Sequence, residues 1–249
     1  MSTLLRQLDS TPDDGSNQSS PNLGGDSRSG SVPTVRVQES LLAASERRAL
    51  KWLADRLPRW VSSDQLTLLG LAAMLVAAGL YLWSREWPPA LLLVNVCLAL
   101  NWFGDSLDGT LARVRNRQRP RYGYYVDHVI DAIGILAIVS GMAGSGLMSL
   151  TVALIVLVAY YLLSIDVYLA THALGTFRLS FYKFSPTELR ILLAIGNIKV
   201  FLKPTIRMFD QRLLFFDVSA IAAAALMAII FAISIARNTV TLYRAERLE

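Results

Sequence analysis

Apolar residues fill long stretches of this chain, and polar residues gather in the gaps between them. Six stretches stand out, at residues 66–83, 90–111, 124–142, 147–169, 189–202 and 213–236. A helix that crosses a membrane needs about 20 apolar residues. Five stretches come close to that length and 189–202 is short. The pattern predicts an all-α polytopic membrane helix bundle of about six transmembrane helices.

The gaps carry punctuation that agrees. Pro88-Pro89 opens the second span, and Ala143-Gly144-Ser145-Gly146 is an uncharged turn. Ser185-Pro186-Thr187-Glu188 reads as a helix start, with a Ser cap, Pro at the first position and Glu188 in the first turn. Ahead of the spans the pattern differs. Residues 1–38 are rich in Ser, Gly, Asp, Asn and Pro. They hold too little apolar surface to offset the cost of ordering, so a disordered polar tail is expected. Over residues 39–58, Leu41, Leu42, Leu50, Leu53 and Leu57 alternate with Glu46, Arg47, Arg48, Lys51 and Arg56. That predicts an amphipathic helix lying on the membrane surface, stopped by Pro58. Residues 59–249 remain for the transmembrane domain.

Composition sharpens this picture. The chain has 249 residues, 53% of them hydrophobic, with a formal net charge of +5. Its mean hydropathy is +0.42, high for a soluble domain. The basic excess comes without a nucleic-acid motif, so contact with anionic lipid headgroups explains it better. Cys97 is the only cysteine, which excludes an intramolecular disulfide. Arg113, Arg115, Arg117, Arg119 and Arg121 crowd the loop after the second span. Positive loops stay inside, so this loop and both termini are expected on the cytoplasmic side. The loop with Lys203, Arg207 and Arg212 then falls outside, against that tendency.

The chemistry lies around that loop. Asp105-Ser106-Leu107-Asp108-Gly109-Thr110-Leu111-Ala112-Arg113 is followed by Gly123, Asp127 and Asp131. A carboxylate at membrane depth costs roughly 2.5–3.5 kcal/mol on insertion scales, so such residues are functional candidates. A helix turns by about 100° per residue, which puts Asp105, Asp108, Gly109 and Ala112 on one face with Arg113 at its edge. Gly123, Asp127 and Asp131 follow at four-residue spacing, with Gly134 three later, in a second stripe. If the two helices pack antiparallel, these faces meet around one or two metal ions. A hard divalent cation suits an all-oxygen donor set. The small residues leave room for a neighbouring helix or a substrate.

The order Asp-x-x-Asp-Gly-x-x-Ala-Arg, nine residues, then Gly-x-x-x-Asp-x-x-x-Asp resembles the signature of the CDP-alcohol phosphotransferases, with each of its fixed positions met. Ser62-Ser63-Asp64-Gln65-Leu66-Thr67 is similar to a Ser-Pro-Asn-x-Leu-Thr stretch of that family. Here Ser63 and Asp64 replace the Pro and Asn, while Leu66 and Thr67 fit. Ser63 or Asp64 also serves as a helix N-cap in the plainer reading.

The resemblance implies that residues 59–249 are a catalytic domain. It implies transfer of a substituted phosphoryl group from a CDP-linked donor to an alcohol acceptor, with release of CMP. Asp105, Asp108, Asp127 and Asp131 would hold two Mg²⁺ or Mn²⁺ ions, and Asp131 would also be the general base. Gly109, Ala112, Arg113, Gly123 and Thr67 would meet the nucleotide and phosphates. Arg190, Lys199 and Lys203 are candidate contacts for an anionic acceptor, because a cation facing a cavity needs an anionic partner. The expected partners are the donor, the acceptor, membrane lipids and a second copy of the chain, but not nucleic acid.

Within the family, a CDP-diacylglycerol donor with a small polar or phosphorylated alcohol is preferred. The alternative is choline- or ethanolamine-type transfer to diacylglycerol, since Asp127-His128 resembles a pair in that branch. A helix-face residue at the interface is the plainer account of His128. From another class, a divalent-cation transporter also needs membrane carboxylates, but a guanidinium beside the site opposes cation passage. The intact set of four aspartates argues against an inactive structural relative. Asp166, inside the fourth span, has no partner evident in the sequence.

Overall fold

A computed structural model describes residues 43–174, 186–208 and 211–246. The expected polar tail 1–38, the first positions of the surface helix (39–42) and the cap at Ser185 lie outside the described residues. In order, the elements are α1 (Ala43–Arg56), α2 (Ser63–Trp83), α3 (Ala90–Val114), α4 (Pro120–Gly144), α5 (Leu150–Leu174), α6 (Pro186–Leu202), β1 (Thr205–Met208), β2 (Gln211–Leu214) and α7 (Phe215–Ala245).

Helices α2, α3, α4, α5 and α7 are long and apolar enough to cross a membrane. The protein is an all-α integral-membrane bundle. Helix α6 has 17 residues. At about 1.5 Å per residue it reaches about 26 Å, short of a hydrocarbon core of about 30 Å.

One small departure from the all-α expectation follows α6. Pro204 has no N–H to continue the helix, and β1 and β2 form an antiparallel hairpin with Thr205 opposite Leu214 and Met208 opposite Gln211. The Phe215 N–H donates to the Pro204 carbonyl at 3.1 Å and closes it.

The helices form a ring. α2 packs on both α3 and α4, α4 on α5, α5 on α7, α7 on α6, and α6 on α3. α2 thus lies against both motif-bearing helices, α3 and α4. Small residues explain how it can. A Cβ added at Gly104 of α3 would sit 2.5 Å from the Leu66 carbonyl and 2.8 Å from the Gly70 nitrogen. One added at Gly141 of α4 would sit 2.6 Å from the Ala78 carbonyl. No side chain fits at either crossing, so the backbones approach as closely as glycine allows. Ala73, Ala77 and Tyr81 of α2 are buried between Val94 and Leu98 of α3 and Ile138 and Met142 of α4.

At one end of the ring a buried polar chain ties three helices. The Tyr81 hydroxyl donates to Asn197 Oδ1 at 2.7 Å, and Asn197 Nδ2 donates to Asn95 Oδ1 at 2.8 Å. Asn95 Nδ2 donates to the Ala194 carbonyl at 3.2 Å. Such bonds act as glue where lipid supplies no hydrophobic force between helices.

At the other end, α1 lies against α3. Its Leu50 and Ala54 are buried with Leu107 and Leu111, while Trp52 stays 53% exposed with the Arg56 guanidinium 3.9 Å from its ring centre. Asp166 has a partner after all: it accepts a hydrogen bond from the Ser234 hydroxyl of α7, and Asn238 Nδ2 donates to that hydroxyl at 3.2 Å. The pairing of α5 with α7 is long-range, so the sequence does not announce it.

Candidate active site

The first motif half lies on α3, from Asp105 to Arg113. Asp108 is held from two sides: the Thr67 hydroxyl of α2 donates to Oδ2 at 2.5 Å, and the Gly109 N–H donates to Oδ1. The Ser63 hydroxyl donates to the Asp108 carbonyl at 3.0 Å. Thr67 therefore sits on a motif carboxylate, where it fixes the direction in which that carboxylate points.

The expected N-cap at Ser63 or Asp64 is corrected. Ser62 is the cap, in a reciprocal capping box with Gln65: the Gln65 N–H donates to Ser62 Oγ at 3.2 Å and the Ser62 N–H donates to Gln65 Oε1 at 2.8 Å. The pattern Ser-x-x-Gln carries that signal. Released from capping, Ser63 turns to α3 and Asp64 pairs with Arg119. That hydrogen bond raises the Arg119 guanidinium above its ordinary range.

Asp105 stands one helical turn before Gly109 and bonds to α6. Arg190 Nη2 donates to Asp105 Oδ2 at 2.6 Å, and Arg190 Nε donates to Asn101 Oδ1 at 2.7 Å. Asn101 Nδ2 donates in turn to the Gly70 carbonyl at 3.1 Å. Arg190, read from the sequence as an acceptor contact, thus has a motif carboxylate as its partner. Lys199 and Lys203 are nine and thirteen residues further on, so Lys199 lies about 13 Å along α6 from Arg190. The structure does not gather the three into one subsite. Sequence reasoning missed Asn101, although an amide one turn before Asp105 in an apolar run is a signal of its own.

The second motif half lies on α4. Asp127, His128 and Asp131 each offer a ligand atom, and these atoms lie within 4.8 Å of one another. Asp127 and His128 are half-buried and Asp131 is exposed. Among the described residues this is the group of acidic, histidine or cysteine side chains close enough to hold a metal ion. Asp105 and Asp108 are not part of that group, so the four aspartates stand as two α3 carboxylates and an α4 cluster. His128 is more than a surface residue, for its ring stacks on Tyr168 of α5 at 4.8 Å and 14°, with Tyr124 edge-on at 4.2 Å. The Tyr161 hydroxyl donates to the Ala132 carbonyl at 2.9 Å and fixes α5 beside this wall.

The motif glycines separate into two kinds. A Cβ at Gly123 would meet nothing within 4 Å, and one at Gly109 would meet only Arg113 Nη1 at 3.5 Å. These two face open space. At Gly134, the last of the α4 stripe, an added Cβ would instead sit 3.2 Å from Met74 Cε. Arg113 Nη2 donates to the Thr110 hydroxyl at 3.0 Å, at the edge of the same surface.

Beside the site is a basic cavity of about 460 Å³, lined by Arg59, Trp60, Ser63, Ala112, Arg117 and Arg119 among others. Arg115 holds its floor by donating to the carbonyls of Leu57, Pro58 and Val61. The loop arginines 115 and 119 thus have structural partners as well as a topological charge. Ala112 belongs to the motif, so the cavity reaches the site.

The α4 cluster offers carboxylate oxygens and one imidazole, a donor set that suits a divalent cation. The family model for CDP-alcohol phosphatidyltransferase matches residues 60–245. An archaetidylinositol phosphate synthase of Pyrococcus horikoshii is 30% identical over 104 residues, 42% of this chain and 52% of the relative. The chain thus spans about half the length of that curated relative.

Proposed function

Because the chain belongs to the CDP-alcohol phosphatidyltransferase family, we propose that it is a membrane enzyme of phospholipid synthesis that transfers a substituted phosphoryl group from a CDP-linked donor to an alcohol, releasing CMP. The preferred donor is CDP-diacylglycerol and the preferred acceptor a small polar or phosphorylated alcohol. The relative's name carries an inositol phosphate, which favours this acceptor class.

The observation that carries the proposal is the α4 cluster of motif side chains, together with the two held carboxylates of α3. Asp127 and Asp131 share one cluster with His128, and Asp105 and Asp108 are each held by a hydrogen bond to Oδ2. Asp105, Asp108, Asp127 and Asp131 would hold Mg²⁺ or Mn²⁺. Bound there, such ions would supply neutralisation of charge on the pyrophosphate and on the departing CMP. Thr67 and the Gly109 N–H aim Asp108. Gly109 and Gly123 leave the nucleotide room beside the backbone. Arg113 exchanges its bond to Thr110 for one to a phosphate oxygen, a charge-assisted contact. Asp131, the exposed member of the cluster, takes the proton of the acceptor hydroxyl. The basic cavity at the loop end admits the nucleotide from the cytoplasmic side.

A second reading rests on the aromatic wall. His128, Tyr124 and Tyr168 stand together beside two carboxylates, a setting that suits a cationic choline or ethanolamine group. The two readings separate in one assay. Purified protein in lipid is given CDP-diacylglycerol with a panel of alcohols, or CDP-choline or CDP-ethanolamine with diacylglycerol, and CMP is measured. Release with CDP-diacylglycerol supports the first reading; strict dependence on the other donors reverses it.

A further inference from the structure

Asp105 is an aspartate of the motif, yet its hydrogen-bond partner is on α6, outside the motif. Arg190 reaches it across the α3–α6 contact at 2.6 Å, and the same guanidinium is held by Asn101 at 2.7 Å. Asn101 is itself anchored on the Gly70 carbonyl of α2 at 3.1 Å. The side chains of Arg190 and Asp105 are only 16% and 27% exposed, and Asn101 is 7% exposed. A relay across three helices therefore ends on one carboxylate oxygen: Gly70 of α2 anchors Asn101, Asn101 holds Arg190, and Arg190 holds Asp105 Oδ2, which fixes the direction of Oδ1.

We propose that Arg190 and Asn101 are positioning residues for Asp105: they lock its carboxylate so that Oδ1 is presented to a divalent cation. The inference rests on the metal reading above and assigns new roles to two residues outside the family motif. A guanidinium fits this task because its planar fork donates to two acceptors at once, which an ammonium at the same site cannot reproduce. Residues that orient a metal ligand are typically worth about 10- to 100-fold in metal affinity.

Charge and orientation make opposite predictions here. A nearby cation acting only through its charge opposes metal binding. Removing Asn101 changes no charge and frees the guanidinium to swing, so only the orienting role predicts weaker binding. The experiment is a titration of Mn²⁺ alone, read by the electron paramagnetic resonance signal of the free ion, into full-length protein in detergent. Wild type, Asn101→Ser, Arg190→Lys and Asn197→Ala are compared, with a thermal melt for each. Asn197→Ala is the structural control, since it breaks the polar chain among the same three helices far from the motif.

The expected result is a Mn²⁺ affinity lowered about tenfold or more in Asn101→Ser and Arg190→Lys and unchanged in Asn197→Ala. Wild-type affinity in both of the first two variants would overturn the proposal, and so would an equal loss in Asn197→Ala. Wild-type protein that binds no Mn²⁺ would instead overturn the metal reading on which the proposal stands.

Discussion

Asp108 and Asp131 share a motif but not a setting. Asp108 accepts from Thr67 and from the Gly109 N–H, so its direction is fixed before any ligand arrives. Thr67→Val keeps the volume and removes the hydroxyl. A hydrogen bond to a charged group is worth about 1.5–3 kcal/mol, so turnover should fall about 10- to 100-fold at subsaturating Mg²⁺. Kinetics against Mg²⁺ concentration check this, and a lower half-saturating Mg²⁺ than wild type would contradict it. Asp131 is exposed, which suits the acceptor-facing role proposed for it. Asp131→Asn should abolish transfer with donor binding largely intact, because Asn offers an oxygen but takes no proton at neutral pH. Asp105→Asn should weaken donor binding itself. Affinity for the CDP-donor measured beside turnover separates the two. At this scale the motif aspartates and the two open glycines could be read from spacing alone. The partner of Asp105 could not, because Arg190 lies 85 residues away and the pairing of α6 with α3 is a tertiary fact.

Helices carry the next distinction. Gly104 and Gly141 sit at backbone crossings, whereas Gly109 and Gly123 face open space. Gly104→Ala forces a methyl group against the Leu66 carbonyl and should destabilise the fold by about 1–3 kcal/mol. Gly109→Ala should leave the melting temperature unchanged and cut activity, because its methyl enters the open space proposed for the nucleotide. Thermal melts and turnover on both variants test the division; equal melting loss in the two would contradict it. The spans were legible as apolar runs, and α6 as a short one. What the runs do not contain is neighbour order. α2 packs on both α3 and α4 because of Gly70, Ala73, Ala77, Gly104 and Gly141. These residues look alike whether they face a helix, a ligand or lipid. The cap at Ser62 was recoverable from its partner Gln65, since a capping box needs both ends.

The ring closes the bundle with the basic cavity beside the motif end. Arg59, Arg115, Arg117 and Arg119 all gather there, and the positive-inside tendency is the ground for proposing that this end faces the cytoplasm. Cys97 is buried, so a cysteine introduced as Arg117→Cys reports alone. It should be labelled by an impermeant reagent only after the membrane is opened; ready labelling of intact cells would invert the topology. The most direct test of the account is CMP release by wild-type protein and Asp131→Asn in lipid, with CDP-diacylglycerol and an alcohol panel, with Mg²⁺ or with excess chelator. The account predicts CMP release that needs metal and an acceptor and is lost in Asp131→Asn. Full release in chelator, or near-normal release by the variant, would contradict it.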